Sequence, residues 1–525
     1  MRTGMHTALL AVLLIASAAS LGAETTKCER LSGLALANTT ITVAEANPAG
    51  GFTPPEGDAL DKLPAFCRVA GVMRPTSDSY IRFEVWMPAE GWNGKFLGVG
   101  NGGFAGAIDY RTLGGDLRRN YATAATDTGH QGEATDASWA YKHPEKVTDF
   151  GYRAVHETAE IAKKIIAEFY GRGAEHSYFD SCSDGGREAL MEAQRFPEDY
   201  DGILAGAPAY AWTDLVSSGV EAAQRIYGNP ASYISSFKVP AIGAAVLQAC
   251  DAQDGVKDGI INDPMNCHFD PTEMLCKGAE SRDCLTTAQA ATLKVLYRGV
   301  EGGRGSGLFP GYMPGGETGP QGWSTWILGP GPGESYGVGY VENYFRYMVF
   351  EDPSWNVLTA DVGAAKKAAE RKTASQLDAT NPDLHRFAAR GGKLILYHGW
   401  NDPGIPPSFT IDYYKSVMSA MGQQQSQSFL RLYMVPGMQH CIGGPGATVF
   451  GQLGTTTAKG PSHGIYSALE EWVEKGTAPD EIIATKYADG KAVMTRPLCA
   501  YPEIARYKGT GDTSDSASFS CEAPK

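Results

Sequence analysis

Tyr178-Phe179-Asp180-Ser181-Cys182-Ser183-Asp184-Gly185-Gly186-Arg187 is the stretch on which the fold turns. A short apolar run ends in a small-residue turn, and a segment rich in Ala, Leu and Met with helical character follows at once. Strand, tight turn and helix with a serine at the apex is the layout of a nucleophile elbow in an α/β-hydrolase. Ser181-Cys182-Ser183-Asp184-Gly185 matches G-x-S-x-G except that Ser181 replaces the first glycine. Serine is small, so strand and helix can still approach closely. By itself the stretch also fits an ordinary turn, since serine is common in Gly-rich turns.

A second stretch, Gly437-Met438-Gln439-His440-Cys441-Ile442-Gly443-Gly444, adds weight. One cysteine directly precedes the candidate nucleophile and another directly follows a candidate base. If bridged, they would pin Ser183 beside His440. Between the two stretches, Tyr397-His398-Gly399-Trp400-Asn401-Asp402-Pro403 places an acid just after a hydrophobic run. The order Ser183, Asp402, His440 is the chain order of α/β-hydrolases.

The chain has 525 residues, 43% hydrophobic and 20% charged, enough for a large core and more than one domain. Its 64 Gly and 30 Pro indicate many turns. A formal charge of -14 gives no support to a nucleic-acid or anionic-membrane partner. Arg2 followed by the apolar run from Ala8 to Ala19 has the layout of a secretory signal, expected over 1–23 with cleavage between Ala18 and Glu24. It is too short for a membrane span, and no later stretch is apolar enough for one. The ten cysteines agree with export to a secreted or periplasmic location. Their pairing is open from the sequence. Cys28–Cys67, Cys250–Cys267, Cys276–Cys284 and Cys499–Cys521 are local candidates that leave Cys182–Cys441 as a long bridge. Nothing in the sequence indicates an oligomeric state.

Residues 28–75 read as mixed structure with turn signals. Strands are expected over 80–87, 95–100, 121–126, 203–208, 393–398 and 430–435, and helices over 151–169, 187–195, 408–418 and 466–475. From about Tyr210 the βα alternation stops, and a Gly/Pro-rich stretch with scattered aromatics runs to about Ala388. The expected organisation is therefore a catalytic domain over 24–209 and 389–525, with a lid domain inserted over 210–388.

In the expected chemistry Ser183 attacks an ester carbonyl as His440 takes its proton, and Asp402 holds the imidazole tautomer and stabilises its charged form. The N–H of Asp184 and one from the Asn101-Gly102-Gly103 turn, that of Gly103, would meet the oxyanion. A second constellation runs from Asp251 to Ile260. Side chains of Asp251, Asp254 and Asp258 with the carbonyls of Val256 and Ile260 form an oxygen cage suited to a structural Ca²⁺. Its bland counterpart is a solvated acidic turn.

Ser181-Cys182-Ser183-Asp184-Gly185-Gly186-Arg187, Met191-Glu192-Ala193-Gln194-Arg195-Phe196-Pro197, His398-Gly399-Trp400-Asn401-Asp402 and His440-Cys441 together resemble the tannase/feruloyl esterase family. The resemblance covers essentially the whole mature chain. It implies an α/β-hydrolase with a large lid, the triad Ser183, Asp402 and His440, and an oxyanion hole of Gly103 and Asp184. It also implies the Cys182–Cys441 bridge, the four local disulfides and calcium at Asp251, Asp254, Val256, Asp258 and Ile260. Members hydrolyse aromatic-acid esters: hydroxycinnamoyl, galloyl, or the mono-hydroxyethyl ester of terephthalate. Two departures matter. Ser181 stands where the family usually has glycine. Ile405 stands where the terephthalate-monoester branch has a phenylalanine against the substrate ring, which favours the feruloyl esterase and tannase branches. The expected function is thus a feruloyl-type serine esterase, with galloyl or terephthalate-monoester hydrolysis as alternatives. A non-catalytic binding protein on a hydrolase fold is the reading of another class.

Overall fold

The computed structural model describes residues 26–300, 309–455, 457–458 and 460–524. The expected signal segment lies outside them. Nine strands form the central sheet: β1 Thr39–Asn47, β2 Phe66–Met73, β3 Ile81–Pro88, β4 Lys95–Val99, β5 Ala122–Thr126, β6 His176–Cys182, β7 Gly202–Gly206, β8 Lys393–Gly399 and β9 Leu430–Val435. Their spatial order is β1-β2-β3-β5-β4-β6-β7-β8-β9. The first three strands join antiparallel, and from β5 onward every pairing is parallel. Parallel strands covered on both faces read as continuous apolar runs, which is why 393–398 and 430–435 were legible. β1 and β2 fall in the stretch expected to be mixed. Charge hides them: Arg68 of β2 is nearly buried because Glu84 of β3 and Glu45 of β1 pair with it at 2.7 and 3.0 Å.

Helices α1 Tyr110–Arg118, α2 Ala154–Tyr170 and α3 Asp184–Arg195 follow β4, β5 and β6. α3 begins three residues before its expected start, directly on the elbow. The region between β7 and β8 is helical rather than looped. It contains α4 Trp212–Tyr227, α5 Val239–Cys250, α6 Thr287–Arg298, α7 Tyr336–Asn343 and α8 Val362–Leu377. Its Trp212, Ile226, Ile242, Leu293, Trp323 and Phe345 bury a core that also takes in Phe104, Phe150 and Ile405 from outside the region. α9 Pro407–Met421 and α10 Ile465–Lys475 complete the layers.

Successive strand residues divide between the two faces of the sheet, as a period of two requires. Phe179, Leu394 and Leu396 join a core with residues of α2, α3 and α9. Tyr178, Ile395 and Tyr397 join one with residues of α10. After α10 come two hairpins without an expected counterpart, β10 Glu481–Ala488 with β11 Lys491–Cys499 and β12 Ile504–Tyr507 with β13 Phe519–Glu522. Five disulfides pair all ten cysteines: Cys28–Cys67, Cys182–Cys441, Cys250–Cys267, Cys276–Cys284 and Cys499–Cys521. Among the described residues no helix is long and apolar enough to cross a membrane.

Candidate active site

Ser183 stands between β6 and α3 with φ 67° and ψ -122°. Such a backbone costs a non-glycine residue on the order of 1–3 kcal/mol and persists only where the surroundings enforce it. Here the Ser183 N–H donates to the Gly206 carbonyl at 2.9 Å, and the Ser183 carbonyl accepts from Ala209 N at 3.1 Å and Arg187 N at 3.2 Å. Two glycines make the turn possible. A Cβ on Gly185 would lie 1.8 Å from Ser181 Oγ, and one on Gly186 would lie 2.3 Å from the Gly206 carbonyl oxygen.

Three elements converge on the serine. Its Oγ is 2.9 Å from His440 Nε2, and His440 Nδ1 is 2.8 Å from Asp402 Oδ2. Asp402 follows β8, and its Oδ1 accepts the N–H groups of Gly404 at 2.8 Å and Ile405 at 3.0 Å. His398, the sixth residue of β8, brings Nε2 within 3.1 Å of Asp402 Oδ2, while its Nδ1 lies 2.7 Å from Thr410 Oγ1. Burial alone would raise the Asp402 carboxyl. The His440 and His398 imidazoles and their hydrogen bonds outweigh it and hold the group well below the usual carboxylate range. An orienting role for His398 was not legible in the sequence, where it reads as the end of an apolar strand.

Gly103 and Asp184 line the same cleft as Ser183 and His440. Gly103 has φ +61°, and a Cβ there would strike the Ala134 carbonyl oxygen at 2.3 Å. The turn that carries it is fastened to α3. Asn101 N donates to Glu188 Oε2 at 2.8 Å, and Gly185 N donates back to the Asn101 carbonyl at 2.9 Å. Asn101 Nδ2 also donates to the Thr126 carbonyl at 2.9 Å. Burial, reinforced by the Asp184 charge, pushes the Glu188 carboxyl up to about 8. Glu188 is a second residue the sequence did not single out, because its partner lies on a different strand loop.

The Cys182–Cys441 bridge flanks the Ser183–His440 pair on the chain side, with Cα atoms 6.0 Å apart. Cys441 also has a positive φ, 65°.

Residues 67–522 match the family model described as tannase and feruloyl esterase. The chain belongs to the tannase and feruloyl esterase family. It is 43% identical to an uncharacterized esterase of Xanthomonas campestris pv. campestris, over 99% of this chain and 95% of that one. It is 36% identical to a mono(2-hydroxyethyl) terephthalate hydrolase of Piscinibacter sakaiensis, over 88% of this chain and 85% of that one. The crystal structure of feruloyl esterase B from Aspergillus oryzae superposes with a TM-score of 0.88 at 31% identity, covering 95% of this chain and 100% of that one. This tannase-family protein is a serine-type carboxylic-ester hydrolase.

The cleft of the esterase runs from Ser183 into the inserted region. Trp212, Ile226, Tyr227, Tyr312, Val338 and Tyr340 are among its walls, and buried Ile405 closes the side next to Asp402. Trp326 lies edge-on to His440, ring centroids 4.9 Å apart. Among the described residues no Lys or Arg side chain lines this cleft.

The Asp251–Ile260 loop lies away from the cleft, beside β11. Asp251 Oδ1 accepts Gly259 N at 3.0 Å, Asp254 Oδ1 accepts Val256 N at 2.9 Å, and Asp258 Oδ2 meets Arg496 Nη2 at 2.5 Å. Burial, with the charges of Asp258 and Asp251, pushes the Asp254 carboxyl up to about 6. The donors are all oxygens, the chemistry of a hard cation. A candidate metal cluster of different composition is His156, Glu192 and Asp199, with ligand atoms within 4.8 Å of one another among the described residues. There His156 Nδ1 is 2.6 Å from Asp199 Oδ2 and the Lys163 ammonium is 3.8 Å from Asp199 Oδ1, so a protein cation already faces these acids.

Proposed function

We propose that the enzyme hydrolyses esters of uncharged aromatic acids, hydroxycinnamoyl esters such as feruloyl esters foremost, through an acyl-Ser183 intermediate. The observation that carries the substrate class is the cleft: aromatic and aliphatic walls beside Ser183, with no Lys or Arg among the described lining residues. A flat phenolic ring suits such walls. Among the described lining residues the free carboxylate of a terephthalate half-ester would find apolar walls and no Lys or Arg partner for its charge. Aliphatic Ile405 in place of a phenylalanine points the same way.

In this reading the Ser183 Oγ–C bond forms as the Oγ proton passes to His440 Nε2 and the carbonyl π pair moves onto oxygen. The N–H groups of Gly103 and Asp184 meet that charge. Asp402 holds the imidazole through Nδ1, so Nε2 is the nitrogen that faces serine. His440 next delivers its proton to the leaving alcohol oxygen. Water then adds to the acyl-enzyme by the same route and releases the acid.

Initial rates on methyl ferulate, methyl gallate and mono(2-hydroxyethyl) terephthalate, with Ser183→Ala as control, test the reading. The expected result is the highest kcat/KM on ferulate and none with the variant. A preference for gallate or the terephthalate ester would replace the substrate assignment and leave the mechanism in place. Turnover by Ser183→Ala would remove the nucleophile assignment.

Three further readings belong with this one. The region 210–388 acts as the lid that supplies the acyl pocket, supported by the share of α4 and α7 in the cleft walls. A structural Ca²⁺ held by Asp251, Asp254, Asp258 and the carbonyls of Val256 and Ile260 staples this region to the C-terminal hairpins. That is supported by the oxygen-only donors and by the clustering of three acids within one short loop. Secreted or periplasmic residence is supported by the signal-like start of the sequence and by ten paired cysteines.

A further inference from the structure

Tyr340 belongs to α7 in the inserted region, yet its side chain reaches the turn beside the nucleophile. A Cβ on Gly103 would stand 2.8 Å from the Tyr340 hydroxyl oxygen, so that oxygen faces the backbone of Gly103 directly. The ring is fixed from two sides. It stacks on Trp326 with centroids 6.0 Å apart at 11°, and meets Phe104 at 5.4 Å. Phe104 follows Gly103 in the chain, and Trp326 touches the His440 ring. The phenol is thus braced between the turn and the base.

Its hydroxyl is also free to act. Tyr340 lines the cleft together with Gly103, Ser183 and His440, and among the described residues the groups that act on its phenol are the charges of Asp184 and Tyr336, with no side-chain hydrogen bond. Neighbouring tyrosines of the inserted region differ: Tyr227 donates to the Ile327 carbonyl at 2.6 Å, and the Tyr344 hydroxyl lies 2.6 Å from Thr373 Oγ1. Burial, then the Asp184 charge, pushes the Tyr340 phenol up to about 12. The group therefore keeps its proton at neutral pH and can only be a donor toward an anion.

We infer that Tyr340 is a further catalytic residue, its O–H donating a hydrogen bond to the ester carbonyl oxygen as that oxygen becomes negative, alongside the N–H groups of Gly103 and Asp184. The inference rests on the reading of Ser183 as nucleophile and Gly103 as oxyanion donor. No proton leaves the phenol: the only proton that moves is that of Ser183 Oγ, to His440 Nε2. The inserted region then supplies part of the catalytic apparatus as well as the acyl pocket.

Tyr340→Phe deletes one oxygen and keeps the ring between Trp326 and Phe104. Loss of an oxyanion donor lowers kcat by about 10²–10³-fold, so a fall of about 10²-fold is expected on methyl ferulate, with KM within about 2-fold and an unchanged Tm. Titrating active sites with a fluorophosphonate puts kcat on a per-site basis, so a poorly folded fraction cannot imitate the effect. Wild-type kcat in Tyr340→Phe would overturn the inference. A raised KM with intact kcat would also overturn it, since the hydroxyl would then serve ground-state binding. Ser183→Ala is measured alongside. If it turns over substrate, the underlying reading fails; if it is inactive while Tyr340→Phe is fully active, only the role of Tyr340 fails.

Discussion

His398 Nε2 lies 3.1 Å from Asp402 Oδ2, the same carboxylate oxygen that meets His440 Nδ1 at 2.8 Å. Two imidazoles therefore flank one carboxylate oxygen, one facing the serine and one buried behind it, where its Nε2 is also 3.1 Å from the Ile405 carbonyl oxygen. Removing the rear one, as in His398→Ala, takes away a close neighbour of Asp402 and the Nε2 partner of the Ile405 carbonyl, and leaves the carboxylate freer to turn from His440. We expect kcat to fall by about 10- to 100-fold. The pH effect has a definite sign. Asp402 is held below its unfolded value, so its contribution to stability is present above that value and is lost as pH falls through the folded one. Without His398 the carboxyl takes up its proton at higher pH, and the acid-unfolding midpoint moves upward. Wild-type kcat together with an unmoved midpoint would show that His398 positions nothing.

Glu188 fastens the Asn101 turn to α3, and a glutamine can accept the same N–H. Glu188→Gln is expected to keep kcat within about 3-fold, whereas Glu188→Ala, which leaves a buried N–H unpaired, loses roughly 10-fold. The carboxyl is raised from 4.5 to about 8 in the folded state. Its destabilising effect is absent below the lower value and complete above the higher one. Glu188→Gln removes it, so the variant should outlast wild type in urea at pH 9 and show little difference at pH 4. Equal stabilities at pH 9 would contradict the assignment.

The bridge between Cys182 and Cys441 joins the residues next to Ser183 and His440. A double Cys182→Ala/Cys441→Ala variant should lose about 3–5 kcal/mol of stability, since the closed loop is long. In mild reductant we expect activity to disappear before the global unfolding transition seen by circular dichroism. Full activity with the bridge verifiably open would refute its role in holding Ser183 to His440.

For the Asp251–Ile260 loop, elemental analysis of protein purified without chelator should find about one calcium per chain. EDTA should lower Tm, and Asp254→Asn should abolish the restoration of Tm by added Ca²⁺. Ligand present at 100 times its Kd stabilises by about 2.7 kcal/mol, well within the reach of a melting experiment. A calcium-free protein that melts alike with and without EDTA ends the proposal.

The elbow was legible because its determinants are local: an apolar run, two glycines that no larger side chain could replace, and a helix directly after. Asp402 and His440 were legible because each follows a buried parallel strand, whose sequence is a plain apolar run. Residues whose meaning depends on distant partners were not. Arg68 disguises β2 because its charge is neutralised across two neighbouring strands, a relation invisible in a window of one strand. Glu188 looks like a helix-surface acid until the Asn101 turn, 87 residues earlier, is folded onto it. Tyr340 is one of many aromatics in the inserted region, and only the packing of α7 against the Gly103 turn sets it apart. The inserted region itself looked looped because its helices are separated by Gly- and Pro-rich connections, although Thr286 and Gln289 form a capping box at the start of α6.

The Cys182–Cys441 bridge spans 259 residues, and every element from α4 to α8 falls inside the loop it closes. The residues beside Ser183 and His440 are thus tied directly to one another as well as through the enclosed segment, which carries Asp402. Evolution can lengthen, shorten or repopulate those helices without having to rediscover the pairing of serine and histidine. Changes in the length of the connections between them leave the covalent link beside Ser183 and His440 in place.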